Sequence, residues 1–160
     1  MDKLKLYLDT CVISCLDQWN VPHNMAYTLG LWKLLKNGVY IACISDITIE
    51  ELEKTPEPKR TFLFNELSEI NFVRIKNDEE IVRLRDFYLR NAVLTEHQKN
   101  DLWHIASSVV GQCDVAVSWN MKHFANPRTI QRVNQVNSTF GYPAVQIVTP
   151  EIVVQWEELS

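Results

Sequence analysis

The sequence predicts a three-layer α/β sandwich, with a central, mostly parallel five-stranded sheet flanked by helices, in a single domain over residues 1–160. Three observations carry that expectation. Short apolar runs at residues 4–8, 39–44, 72–75, 115–118 and 145–148 alternate with helical patterns along the chain. Most of these runs lead directly into helix-capping residues: Asp9, Ser45-Asp46, Asn77-Asp78 and Thr149. No internal repeat, low-complexity segment or linker interrupts the alternation.

Leu4, Leu6, Tyr7 and Leu8 have the composition of a strand buried on both faces, as central strands of parallel sheets are. The run stops at Asp9, and a carboxylate in that position is costly unless it is paired. Asp9 therefore either caps a short helix over residues 10–17, taking the amide of Cys11 or Val12, or meets a metal ion. Residues 24–35 read as a helix with Tyr27, Leu31, Leu34 and Leu35 on one stripe, ended by Asn37-Gly38. After the second strand, Ser45 and Asp46 open a helix over residues 47–54 that stops before Pro56, and Pro58 opens another over residues 59–70.

The third strand is followed by a helix capped by Asn77-Asp78 and reaching about Arg90. Thr95 with Gln98 has the form of a capping box for a helix running to Val110, with Leu102, Ile105, Ala106 and Val109 as its core stripe and Gly111 at its end. Residues 127–139 form a helix closed by Gly141, and Thr149-Pro150-Glu151 opens the last one with cap, first-position proline and first-turn acid in order.

With 46% hydrophobic and 22% charged residues the composition is globular, and a chain of this length buries enough surface to fold without staples. No apolar run is long enough to span a bilayer and no basic-apolar-small leader opens the chain, so a cytoplasmic location is expected. Cys11, Cys15, Cys43 and Cys113 lack a CxxC pair and read as core thiols. A net charge of −4 and a pI of about 5.6 argue against wrapping nucleic acid by bulk electrostatics. Lys59, Arg60, Lys122, Arg128 and Arg132 remain available for a local basic patch.

In open parallel sheets, sites lie at the carboxyl ends of the strands. Asp9 follows the first strand; Asp46, Glu50 and Glu51 follow the second; Asn120 follows the fourth. Asp101 stands near the start of a helix, one residue before its apolar stripe, whereas Asp114 precedes its strand and belongs to a turn at the opposite edge. Each acid has an ordinary explanation as a cap or a partner of a helix dipole. Gathered half-buried, however, they would repel and have their pKa values raised unless a cation neutralised them. Mg²⁺ or Mn²⁺ prefers such oxygens and serves phosphoryl transfer by activating water and offsetting phosphate charge.

His97, Asp101 and His104 share one helical face and could instead form a nitrogen-rich zinc or iron site, but the further Cys or His ligands of a closed zinc site are missing. Otherwise His104 packs beside Asp101, and His123 is a loop histidine or a phosphate contact. Thr10 and Ser118 either orient water or substrate or satisfy backbone groups at strand ends. Trp103 and Trp119 stack on bases or pack. Together with Trp32 they exceed the room of one small core, which predicts self-association as a homodimer.

The segments LYLDTCVIS, ISDITIEEL, NDLWHIASSV and VAVSWNMKHF, in this order and across nearly the whole chain, resemble the PIN-domain ribonucleases, most closely the VapC-like toxins of toxin–antitoxin pairs. The tail from Asn126 to Val153 resembles a subset of that family. The resemblance implies a metal-dependent endoribonuclease whose acids hold Mg²⁺ or Mn²⁺ and ready a water for attack on an RNA phosphodiester, held in check by a small antitoxin protein. Asp9 takes the family's first acid. Glu51, preceding Leu52 at the family's distance from Ser45, takes the second, and Asp101 the third. A later acid falls on Asn120, as in some relatives, leaving three acids to supply the negative charge. Thr10, Ser118 and His104 take supporting or substrate-facing places. The alternative is a catalytically weakened or inactive PIN-like RNA-binding or scaffold protein, suggested by Asn120 and the acidic pI.

Overall fold

The computed structural model describes residues 2–159. Its five strands, β1 (Lys5–Leu8), β2 (Ile41–Ser45), β3 (Phe72–Ile75), β4 (Val115–Val117) and β5 (Gln146–Val148), form one sheet in the order β3-β2-β1-β4-β5. Every pairing is parallel, so the expected sheet is present in a stricter form. Among the described residues eight α-helices cover it: α1 (Thr10–Ser14), α2 (Pro22–Lys36), α3 (Asp46–Glu53), α4 (Lys59–Ser68), α5 (Glu79–Arg90), α6 (Lys99–Val110), α7 (Pro127–Thr139) and α8 (Pro150–Glu158).

Side chains alternate across a strand, and here the alternation divides the core. Leu6 and Leu8 of β1, with Ala42 and Ile44 of β2 and Val115 and Val117 of β4, face a cluster built with α1, α2, α4 and α8. Tyr7, Cys43 and Ala116, from the intervening positions, face a second cluster built with α5, α6 and α7. The near-continuous apolar reading of β1 follows from having both faces covered.

Local chemistry sets the helix ends. Asp9, Asp78 and Asn126 cap α1, α5 and α7, their side chains accepting from Val12, Ile81 and Thr129 amides. The Thr95–Gln98 capping box is formed, and it opens a 3-10 turn over Glu96–Gln98 from which α6 continues. Three strands begin later than the sequence predicts, β1 by a single residue, at Lys5. The Val39 amide is spent on Leu34 O at 3.0 Å, closing α2 beside Gly38, so β2 starts at Ile41. Val145 gives its amide and carbonyl to the Asn134 side chain at 2.9 and 3.0 Å, and the ladder starts at Gln146.

Trp32, Trp119 and Trp103 each have a hydrogen-bond partner within the chain, and Trp19 is exposed. Trp32 is 2% exposed and donates to Glu66 O. Trp119 packs on the same core and donates to Thr28, and Trp103 donates to Asn77 beneath the Arg85 guanidinium. No helix among the described residues is long and apolar enough to cross a membrane, and all four cysteines are free.

Gly111 is not the left-handed terminator its position suggests. Its φ is −73°, and Gln112 takes the left-handed conformation at 57°. The glycine is required by space instead: a Cβ there would lie 2.4 Å from Ile75 Cδ1 and 2.9 Å from the Ser107 carbonyl oxygen. Gly111→Ala should therefore cost roughly 1–3 kcal/mol through overpacking, and at about 2–4 °C per kcal/mol a domain of this size loses several degrees of melting temperature. A thermal melt indistinguishable from wild type would contradict the close approach of α6 to β3.

Candidate active site

The carboxyl ends of β1, β2 and β4 lie side by side, and each delivers polar residues to the same edge. Asp9 leaves β1 as the N-cap of α1 and is 4% exposed. Its Oδ1 accepts the Val12 amide at 3.1 Å, and its Oδ2 accepts the Ser118 hydroxyl, one residue past β4, at 2.6 Å. The Cys11 thiol lies 3.0 and 3.1 Å from the two oxygens. Burial raises the Asp9 pKa, against the opposing pull of His104 and of these hydrogen bonds. The capping role considered for Asp9 is thus real, and it coexists with a site position.

Glu51, on α3, turns inward, whereas Glu50 beside it is exposed. Thr10 donates to Glu51 Oε1 at 2.6 Å, and His104 Nε2 lies 2.5 Å from the same oxygen. Burial alone would raise the Glu51 pKa, but the His104 hydrogen bond and charge, with the Thr10 and Asn100 bonds, outweigh it and hold the carboxyl below its usual value. His104 is 3% exposed, and its other nitrogen, Nδ1, lies 2.6 Å from the Tyr7 hydroxyl. Thr10 therefore serves a carboxylate, and Ser118 serves both the Asp9 carboxylate and the Asn120 backbone amide.

Asp101, in the first turn of α6, is half-buried and faces Asn120, whose Nδ2 lies 3.4 Å from its Oδ2. Burial is the largest cause of its raised pKa; the negative charges of Asp9 and Glu51 add to it, and His104 and His123 oppose it. The charges of Asp9 and Glu51 thus both reach Asp101. Asn120 uses its Oδ1 to accept the His123 amide at 3.0 Å. The Asn120 oxygen thus closes a turn, and its amide NH₂ is what approaches Asp101. Asp46 leaves the group altogether, binding Arg74 at 2.7 Å and the Asn77 amide at 2.9 Å. His97 is exposed on the 3-10 turn, so the His97–Asp101–His104 face does not assemble.

Two members of the site were not singled out from the sequence, Tyr7 and Cys11. Tyr7 carried a usable signal, because a phenol inside a fully buried strand must find a polar partner. Cys11 follows a cap residue by two positions, within reach of its carboxylate.

Mg²⁺ and Mn²⁺ bind carboxylate oxygens, and the mutual repulsion felt by Asp101 is of the kind a cation relieves. In chemical type, these carboxylate donors suit a hard ion. As they stand, Asp9 and Glu51 spend oxygens on protein partners, and among the described residues no three Asp, Glu, His or Cys side chains are arranged to hold one ion.

A five-stranded parallel sheet covered by helices, with acids at the carboxyl edge of its centre, defines a PIN-like α/β sandwich. Among solved structures the chain is similar to the crystal structure of VapBC2 from Rickettsia felis bound to a DNA fragment from their promoter. The TM-score is 0.50 at 16% sequence identity, covering 91% of this chain and 98% of that one, a likeness of fold. No family model matches the sequence, and no curated protein does.

The raised Asp101 pKa has a testable sign. A carboxyl whose folded pKa lies above its unfolded value contributes stability that is complete below the unfolded pKa and lost as pH rises through the folded one. Without metal, Asp101→Asn should melt ~2–4 °C above wild type near neutral pH, the response of such a domain to about 1 kcal/mol. The gap should close as pH falls below the ordinary carboxylate range. Melts from about pH 3 to about pH 8, spanning that range, check it; a gap independent of pH, or reversed, would contradict the assigned burial and repulsion.

Proposed function

We propose that the chain is a metal-dependent endoribonuclease hydrolysing RNA phosphodiester bonds, the toxin of a toxin–antitoxin pair, with Asp9, Glu51 and Asp101 holding Mg²⁺ or Mn²⁺. The observation that carries this reading is the convergence of three acids at the carboxyl edge of a PIN-like sheet: Asp9 past β1, held by Ser118; Glu51 on α3, held by Thr10 and His104; and Asp101 on α6, facing Asn120. When bound, a divalent cation supplies a Lewis acid that offsets phosphate charge and eases deprotonation of water.

The chain's own groups do the positioning. Ser118 and the α1 amide at Val12 fix Asp9, and Thr10 with His104 fixes Glu51. Asn120 meets Asp101 with a neutral donor, lowering repulsion without adding negative charge. His123 stands near enough to Asp101 to act on its charge and, with Lys122, offers groups for a substrate phosphate. The similarity to a toxin–antitoxin complex supports a small antitoxin as the partner.

A second reading, a catalytically weakened or inactive RNA-binding or scaffold protein, is favoured by one observation: Asp9 and Glu51 are already satisfied within the protein. Incubation of purified protein with RNA separates the two. The nuclease reading expects cleavage in Mg²⁺ or Mn²⁺ that EDTA stops, and a loss of roughly 100-fold or more in Asp9→Asn and Asp101→Asn, the scale of removing one element of transition-state charge stabilisation. RNA binding without cleavage would support the scaffold reading, and cleavage undiminished in both variants would remove these acids from the reaction.

A further inference from the structure

We propose that Tyr7 is a positioning residue for Glu51, acting through His104. The proposal rests on the reading of Glu51 as a metal ligand and adds to it a buried relay that sets where that ligand points. Tyr7 lies at the centre of β1 and is fully buried. A phenylalanine would fill the same space, so packing does not account for its hydroxyl. That hydroxyl lies 2.7 Å from Ser45 Oγ and 2.6 Å from His104 Nδ1, with Thr48 Oγ1 farther off at 3.4 Å. The His104 ring meets the Tyr7 ring edge-on, with centroids 5.8 Å apart at 63°, and its Nε2 lies 2.5 Å from Glu51 Oε1.

Hydrogen-bonding capacity fixes the donor at Glu51. An ionised Glu51 only accepts, so Nε2 donates to it. When the imidazole is neutral, Nδ1 accepts the Tyr7 O–H and the phenol oxygen accepts from Ser45. When it is protonated against Glu51, Nδ1 donates to the phenol oxygen, and in both forms the same partners hold the ring. These partners fix the orientation of the imidazole, as the outer partners of ligand-supporting groups do in metal sites. Ser45, Tyr7, His104 and Glu51 come from β2, β1, α6 and α3, so the relay ties the acid to the centre of the sheet. Without the hydroxyl, a buried ring nitrogen loses its partner and the imidazole loses its anchor.

Mn²⁺ affinity measured by calorimetry on wild type, Tyr7→Phe, Glu51→Gln and the double variant tests this without reference to activity. Tyr7→Phe should weaken Mn²⁺ binding by about 10-fold, at the low end of outer-partner losses. In the Glu51→Gln background the same change should cost less than about 2-fold, because its effect passes through the residue already altered. Equal losses in both backgrounds, or Tyr7→Phe binding as tightly as wild type, would overturn the proposal while leaving Glu51 a ligand. Wild type that binds no Mn²⁺ would overturn the ligand reading and this proposal together. If Tyr7→Phe does not fold, His104→Gln, which keeps an N–H toward Glu51, should bind Mn²⁺ more tightly than His104→Leu; equal loss in these two would overturn the relay.

Discussion

The arrangement of this molecule depends on one buried carboxylate. Asp9 ends the central strand at a depth where an unsatisfied charge is costly, and the groups that satisfy it come from different parts of the fold. The first turn of α1 supplies an amide, Cys11 a thiol, and Ser118 a hydroxyl from beyond β4. The bond to Ser118 fixes the register between the ends of β1 and β4 at the place where the site forms. Because Ser118 Oγ also accepts the Asn120 amide, the turn carrying Asn120 and His123 is tied to the same point.

The fold positions chemistry through the two-residue period of β1. Leu6 and Leu8 bury into one layer, and Tyr7 turns its hydroxyl toward the other, where α6 brings His104. A single strand thus joins both cores, carrying Tyr7 within it and Asp9 just past its end. Burial makes negative charge at Asp9 and Asp101 costly for the bare protein, whereas His104 and Thr10 favour the charged form of Glu51.

Much of this was readable along the chain wherever neighbouring residues decide the outcome. Phe72–Ile75 and Pro127–Thr139 fall where the sequence places them, because caps, prolines and glycines flank them. β2 and β5 start later than the apolar runs because Val39 spends its amide on a helix end and Val145 its backbone groups on the Asn134 side chain. Within the site, the resemblance picked out acids by order along the chain, but their partners depend on how elements pack. Tyr7 and His104 are 97 residues apart, and only the sheet register and the docking of α6 bring them together. The turning of the Asn120 oxygen to the His123 amide is a local turn bond, whereas that of Asp46 toward Arg74 depends on the pairing of β2 with β3.

The central claim is that the acids at this edge form a cation site centred on Asp9. Melting temperature followed against Mn²⁺ concentration tests it most directly, since an ion that binds only the folded state stabilises it in proportion to the logarithm of its concentration once the site saturates. Asp9→Asn keeps a residue able to cap α1 but removes the charge. The account predicts that wild type climbs steadily with Mn²⁺ while Asp9→Asn, starting at or above the wild-type value without metal, stays flat. Two curves that climb in parallel, or a wild type that does not respond, would contradict it.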